Sequence, residues 1–380
     1  MPRLLYLVNI PRFFVTHRLP LAHAVREAGF EVHVAAAGND ATHAQRIREE
    51  GFPFHPLPIQ QHGINPLQEL SSLLASAQVI RQLRPDIVHT FTIKPLLYVG
   101  LAAHFLRKPG MIFSLTGLGY LFSDRSRKAA LLQQFIRLPL QLALQHSRSR
   151  LTFQNPDDRQ RFIQLGLVAA RRTHLIRGSG VDVHRFQPRP EKDGTPVILF
   201  AGRLLLAKGI RDLVAVARKM REAGIDARFQ IAGYPEAGNP DSVAEAQLTS
   251  WRNENIVELL GTVEDMPSLI ANSHVVCLPS QYGEGIPSIL LEAAASGRAI
   301  VTTDIAGCRE IARDGVNALL IAPGQREALY DALLQLIQRP NWRRALGAQG
   351  REIATQEFAQ ERVFGETIQL YQEVLSALPR

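Results

Sequence analysis

The chain has 380 residues, 46% of them apolar and 21% charged, which is enough material for two hydrophobic cores and too ordinary a mixture for a disordered or fibrous protein. Its two cysteines, Cys277 and Cys308, have no C-x-x-C or Cys/His ligand spacing around them, which disfavours a disulfide framework and a zinc site. The net charge of +8 is uneven: residues 1–180 hold 22 Lys and Arg against 10 Asp and Glu, the remainder 21 against 25, so the first half favours an anionic partner (nucleic acid, acidic lipid or a phosphorylated substrate) or is simply a soluble basic surface.

The opening MPRLLYLVNIPRFF has only a short apolar run, broken by Arg12, and no small-residue cleavage site, so it reads as a first strand and not as a signal peptide. No apolar stretch reaches the length a membrane span needs, and a cytoplasmic location is expected. LLYLVN (4–9) precedes the helical LPLAHAVREAG (19–29), and EVHVAAAG (31–38) precedes ATHAQRIREEG (41–51). SSLLASAQVIRQLRP (71–85) leads into DIVHTFT (86–92), and MIFSLTG (111–117) follows another apolar helix. Near-continuous apolar strands alternating with helices predict parallel sheets covered on both faces.

The pattern restarts at TPVILFAGRL (195–204), after PRPEKDG (188–194), whose proline, glycine and charge read as a linker. ARFQIAGY (227–234), NIVELLG (255–261), VVCLPS (275–280), AIVTTD (299–304) and ALLIAP (318–323) continue it. The predicted fold is α/β with two Rossmann-like, doubly wound domains facing across a cleft, 1–190 and 191–380, whose last helices finish the second domain or return to the first. Open α/β sheets bind ligands at the carboxyl ends of their strands, so motifs there carry most weight.

FAGRLLLAKG (200–209) puts Gly202 and Arg203 at a strand end and Lys208 at a helix start. Two cations beside free backbone N–H groups form a candidate diphosphate cradle, although the spacing is neither a Walker loop nor G-x-G-x-x-G. Lys208 runs against the helix dipole, which favours anions at that end; plain surface cations are the rival reading. In GEGIPSILLE (283–292), Glu284 lies in the loop, Pro287 suits the first helical turn, and Glu292 lies inside the helix. A carboxylate with N–H groups around Gly285 suits a polyhydroxyl ligand, whose hydroxyls both donate and accept. A glycosidase pair is disfavoured: eight residues of one continuous helix put the carboxylates roughly 12 Å apart, wider than the roughly 5–9.5 Å that hydrolysis uses.

The order G-R-x4-K-G, then E-G-x-P with E-x7-E, resembles the retaining glycosyltransferases of the GT-B fold, family 4; LLGTVEDMPSLIANSHVVCLPS (259–280), VTTDIAGCREIARDGVNALLI (301–321) and GVDVHRF (180–186) extend the likeness over most of the chain. The resemblance implies that Arg203 and Lys208, with Gly202 beside them, bind the nucleotide diphosphate and stabilise the leaving group. It implies that Glu284 and the backbone around Gly285, Ile286 and Pro287 hold donor-sugar hydroxyls, that Glu292 accepts from the ribose, and that Val263 lies near the base. With no D-x-D in the chain, no metal and no other cofactor is expected.

Many members carry a glycine-rich loop after the first strand and a histidine after the fifth; this chain has NIPRFFVTHRLPLA (9–22) and SLTGLGYLF (114–122) instead. With HTFTIKPLLYVG (89–100), these blocks resemble the subgroup that extends polyprenyl-diphosphate-linked sugars in O-antigen, capsule or N-glycan assembly. His17, Lys94, Thr116 and Gly117 are then the acceptor-side candidates, His17 having a capping or core role as its rival reading. The donor implied is UDP-hexose or UDP-N-acetylhexosamine. Segment 123–151, with six basic residues, one acid and apolar Leu131, Leu132, Phe135, Ile136, Leu138 and Leu142 at helical spacing, fits either an anionic membrane surface or a core-facing helix. Rival functions are a UDP-sugar epimerase of the same architecture, an inactive sugar-nucleotide binder, and a nucleic-acid-binding protein; against the last, the basic residues lack interleaved aromatic platforms.

Overall fold

The computed structural model describes residues 1–60, 65–104, 106, 109–116, 137–146, 148–281 and 283–378. Seven strands form the first sheet: β1 (Arg3–Leu7), β2 (Glu31–Ala37), β3 (Phe54–Leu57), β4 (Ile87–Phe91), β5 (Gly110–Leu115), β6 (Ser149–Phe153) and β7 (Thr173–Leu175). Their spatial order is β3-β2-β1-β4-β5-β6-β7, every neighbour parallel. The second sheet has β8 (Val197–Ala201), β9 (Arg228–Ala232), β10 (Glu258–Gly261), β11 (Val275–Leu278), β12 (Ala299–Thr303) and β13 (Ala318–Ile321), in the order β10-β9-β8-β11-β12-β13, again all parallel. In each sheet the winding direction reverses once, between β1 and β4 and between β8 and β11, and these reversals are where such sheets bind ligands.

The central strands are buried on both faces because helices cover both, which is why VILFA, VVCL and AIVTT are unbroken apolar or small-residue runs. In the first sheet, alternate residues of β1 point to opposite cores: Leu5 and Leu7 to one, Leu4 and Tyr6 to the other. A single large core serves the second sheet.

The chain divides into two compact units, Met1–Ser179 with Val363–Arg380, and Gly180–Arg362. The division falls ahead of the proline-rich stretch 188–194, because Val181 forms a bridge to Ala359 and Val183 and Phe186 are buried in the second core. The last helix, Gln360–Ser376, packs Leu370, Tyr371 and Val374 into a core of the first unit. Tyr371 also donates to or accepts from Tyr6 at 3.0 Å and bonds His89 Nδ1 at 2.6 Å, so a polar joint as well as an apolar one holds this helix there.

Three strands lay outside the sequence expectation. FHPL of β3 carries a proline at an edge, β7 is only three residues long, and SRLTF of β6 is polar enough to merge with the basic segment before it. That segment is corrected accordingly: residues 149–151 open β6 and are not helical. Residues 137–144 are helical, burying Leu140, Ala143 and Leu144 while Leu138 and Leu142 stand 63% and 41% exposed; Leu131, Leu132, Phe135 and Ile136 lie outside the described residues. Among the described residues no helix is long and apolar enough to cross a membrane.

Candidate functional site

The loops after β8 and β11 are the carboxyl-end loops at the second sheet's reversal point. After β8 the chain does not enter a helix directly. Leu206–Lys208 form one 3₁₀ turn, and Gly209, at φ +73°, turns the backbone into helix Ile210–Glu222. A side chain at Gly209 would overlap the carbonyl of Pro279, so only glycine lets this turn lie against the β11 loop. Asp241 fixes the same turn from outside, its carboxylate accepting from the Ala207 N–H at 3.1 Å and its carbonyl from Leu206 N–H at 2.8 Å.

This geometry delivers Lys208 to the acidic loop. Its ammonium donates to Glu284 Oε1 at 2.6 Å, and Ser280 Oγ donates to the same oxygen at 2.9 Å. Burial by itself raises a carboxyl pKa, yet Glu284 is held below its ordinary value by Lys208, by Ser280 and by the charge of Arg203. The misplaced cation at a helix start thus has a local counter-charge. Arg203 is more open, 47% exposed along its side chain, and donates to Glu236 Oε2 at 2.8 Å. Glu236 is held by Asn239 Nδ2 at 2.7 Å and by its own N–H to Ser242 Oγ at 2.9 Å.

Helix Ser288–Ala295 begins later than expected: Pro287 is its N-cap residue, with extended ψ, rather than part of its first turn. Glu284 and Glu292 therefore do not share one continuous helix, and helical spacing does not set their separation. Glu292, partly exposed, sees the charge of Arg185, but burial dominates and lifts its pKa to about 7. Gly285, Ile286 and Pro287 form the buried approach to the helix, and a side chain at Gly307 would overlap the Gly285 and Glu284 carbonyls, so helix Ala306–Ile311 serves as a backstop for that loop. Gly202 takes φ +152° at the end of β8, and its carbonyl is what a side chain at Gly233 would meet. Val263, after β10, is half-buried against the second core. Both cysteines are buried thiols, Cys308 close enough to Glu284 to feel its charge.

The acceptor-side candidates are scattered over the first unit. His17 ends helix Pro11–His17, its ring centroid 5.2 Å from that of Phe13. Lys94 is engaged, donating to Glu69 at 2.7 Å and to the Gln60 carbonyl at 3.1 Å, while Tyr98 donates to the other oxygen of Glu69. Thr116 follows β5 and is half-buried; Gly117 lies outside the described residues. The sequence named Arg18 beside His17 but gave no sign of Asn9 after β1, Thr90 in β4 or Thr92 just past it; each of these four has a buried side-chain atom with no hydrogen-bond partner among the described residues. It also missed Glu236, Asp241, Ser280 and Gly307. The glycine-rich segment after β9, GYPEAGNP, was the signal that pointed to the first two.

The family model for group 1 glycosyl transferases matches residues 195–339, and that for the glycosyl transferase 4-like family matches residues 3–155. The chain is 25% identical over 371 residues to the N,N'-diacetylbacillosaminyl-diphospho-undecaprenol alpha-1,3-N-acetylgalactosaminyltransferase of Campylobacter jejuni, covering 94% of this chain and 95% of that one. It is 22% identical over 369 residues to the capsular polysaccharide biosynthesis glycosyltransferase CapM of Staphylococcus aureus, covering 92% of each. Among solved structures, Anabaena Alr3699/HepE in complex with UDP and glucose superposes with a TM-score of 0.79 over the whole of both chains, at 21% identity.

Proposed function

Because the chain belongs to the group 1, GT4-like glycosyltransferases and has their GT-B pair of parallel-sheet units, we propose that it moves a hexosyl or N-acetylhexosaminyl group, with retention, from a nucleotide diphosphate to a polyprenyl-diphosphate-linked glycan. The observation that carries this reading is the cluster of Lys208, Glu284 and Arg203 on the two loops at the second sheet's reversal point. Cleaving the sugar–phosphate bond builds negative charge on the diphosphate and positive character on the sugar. Preorganised cations at the leaving oxygen then lower the barrier directly, and the carboxylate beside them accepts from sugar hydroxyls. In this reading Arg203 and Lys208 take the diphosphate, Glu284 and the Gly285–Pro287 loop the sugar, and Glu292 the ribose. The acceptor hydroxyl attacks from the leaving-group face and passes its proton to a donor phosphate oxygen, so no protein nucleophile is needed. Arg203 and Lys208 supply the positive charge, and turnover is expected to survive chelation of divalent cations.

The acceptor reading rests on the similarity to the Campylobacter jejuni enzyme, whose name specifies a diphospho-undecaprenol substrate. Exposed Leu138 and Leu142 beside Arg137 give the chain an apolar and basic patch that fits reversible contact with an anionic membrane surface, with the enzyme cytoplasmic and peripheral. The test is incubation with UDP-hexoses and UDP-N-acetylhexosamines plus a short polyprenyl-diphosphate-linked sugar. Mass spectrometry should find one added residue, and proton NMR of the new linkage the donor's anomeric configuration. Inversion would refute the retaining route, and absence of transfer from every donor to any lipid-linked acceptor would refute the substrate assignment.

A further inference from the structure

The first unit holds a buried cation that the donor chemistry does not use. Arg18, at the junction of helices Pro11–His17 and Leu19–Glu27, is only 5% exposed. Its guanidinium carbon lies 4.3 Å from the centroid of the Phe91 ring and 5.7 Å from that of Phe13. Its Nε has no hydrogen-bond partner, and among the described residues no carboxylate pairs with it. Burying an unpaired charge is among the costliest arrangements a fold can keep, and two aromatic faces return only part of that cost. Burial lowers the pKa of Arg18 to about 10, which still leaves it charged at neutral pH.

Arg18 opens onto a cavity of about 20 Å³ whose polar lining also includes His89, Ser114, Thr152, Gln154 and Thr367. That is room for one water-sized atom. His89 lies on β4, Ser114 on β5 and Thr152 on β6, so the cavity sits toward the carboxyl ends of three adjacent strands, next to the sheet's reversal point. The hydroxyls are linked in a chain: Tyr371 to His89 Nδ1, His89 Nε2 to Ser114 and Ser114 to Thr152, each at 2.6 Å. Burial holds His89 neutral. No acidic side chain lines the cavity among the described residues, so nothing there repels an anion, and the hydroxyl protons can turn toward one.

We propose that this cavity seats one charged oxygen of an anionic substituent, phosphate or carboxylate, on the acceptor-side ligand, with Arg18 as its counter-ion. Only the identity of that ligand rests on the acceptor reading above; the anion seat is a property of Arg18 and its surroundings. An oxygen bound there accepts from the Arg18 guanidinium, which offsets the unpaired-charge penalty on binding and makes the site selective for charged over neutral ligands.

Crystals of the full chain soaked in sodium bromide should give an anomalous peak in contact with the Arg18 guanidinium. In thermal melts, phosphate, pyrophosphate and glucuronate should each be compared with chloride at matched ionic strength. At least one should raise the melting temperature of the wild type and leave Arg18→Met unmoved, while Arg18→Met in chloride melts higher than the wild type because the unpaired charge is gone. Displacement of bromide by pyrophosphate and not by glucuronate assigns the seat to the lipid diphosphate, and the reverse to an acidic sugar. A wild-type crystal without bromide at Arg18, or equal oxyanion shifts in both proteins, overturns the proposal; the crystal decides by itself if the variant does not fold. Bromide bound at Arg18 with no transfer to any polyprenyl acceptor would overturn the acceptor reading and leave the seat standing.

Discussion

Lys208→Met removes the charge from the most enclosed ion pair of the candidate donor site while keeping the apolar stem. The Lys208 and Glu284 side chains are 15% and 19% exposed at a separation of 2.6 Å. At an effective dielectric of about 20, their attraction is about 6 kcal/mol, most of it offset by desolvation. Removing one partner strands Glu284 against its neighbours. With Ser280 Oγ still donating to it, the loss of stability should lie near the low end of the usual range, about 3 kcal/mol. Glu284 would then titrate above its wild-type pKa, because its leading influence is burial and its principal opposing charge is gone. Turnover should fall about 10²–10³-fold, the cost of one preorganised donor at a leaving group, or about 2.7–4 kcal/mol. The two losses separate in Lys208→Met/Glu284→Gln: neutralising the stranded acid recovers most of the stability, measured by urea denaturation, but not the turnover, measured as released nucleotide. Lys208→Met turning over within about tenfold of wild type at saturating donor would refute the leaving-group role.

Glu292 has its carboxyl raised to about 7, so the folded state resists its ionisation. Its penalty is absent below the unfolded value of 4.5 and grows as pH rises from there to about 7. Thermal melts should accordingly fall across that window in the wild type and less in Glu292→Gln; equal slopes would remove the burial argument. Ribose hydroxyls donating to the carboxylate would favour its charged form, so nucleotide binding near pH 7 should release more protons from wild type than from Glu292→Gln, read by calorimetry in two buffers of different ionisation enthalpy. Gly307→Ala should destabilise by about 1–3 kcal/mol and weaken donor binding together, since its methyl overlaps the loop that carries Glu284; unchanged donor affinity would show that the loop can shift without consequence. Tyr371→Phe leaves the Tyr6 hydroxyl and His89 Nδ1 short of a partner and should cost about 1–3 kcal/mol in urea melts, a cost absent if the last helix is held by apolar contact alone.

How legible the molecule was in its sequence depended on whether a signal was local. The β8 and β11 runs announced themselves because strands covered on both faces must be apolar throughout, whereas β6 hid its pairing with β5 behind Arg150 and Ser149. The spacing of Arg203, Lys208, Glu284 and Glu292 could be read because the resemblance supplied the pattern. What closes the site could not: Glu236 reaches Arg203 from 33 residues away, and Gly307 matters only through a carbonyl on another loop. Arg18 in isolation looks like any solvated arginine; its burial follows from the packing of Phe13 and Phe91 around it. Long-range contacts of this kind leave no periodicity to detect.

The two cations of the second unit are held with unequal strength, and the inequality fits the work proposed for them. Arg203 is nearly half exposed, so its pair with Glu236 is worth about 0–1 kcal/mol and is easily exchanged for a phosphate oxygen. Its position is kept nonetheless, because Glu236 is itself anchored by Asn239 and Ser242. Lys208 is enclosed and bound to an acid that Ser280 also holds, so a ligand that displaced it would strand Glu284. A diphosphate is therefore better accommodated by adding an oxygen to the Lys208 ammonium, which has three donors, than by breaking the pair. Glu284 then remains charged and in place for hydroxyls of the sugar attached to that diphosphate. The same bond that aims the cation also aims the carboxylate, and for that reason the two residues should fail together in donor binding but separately in stability.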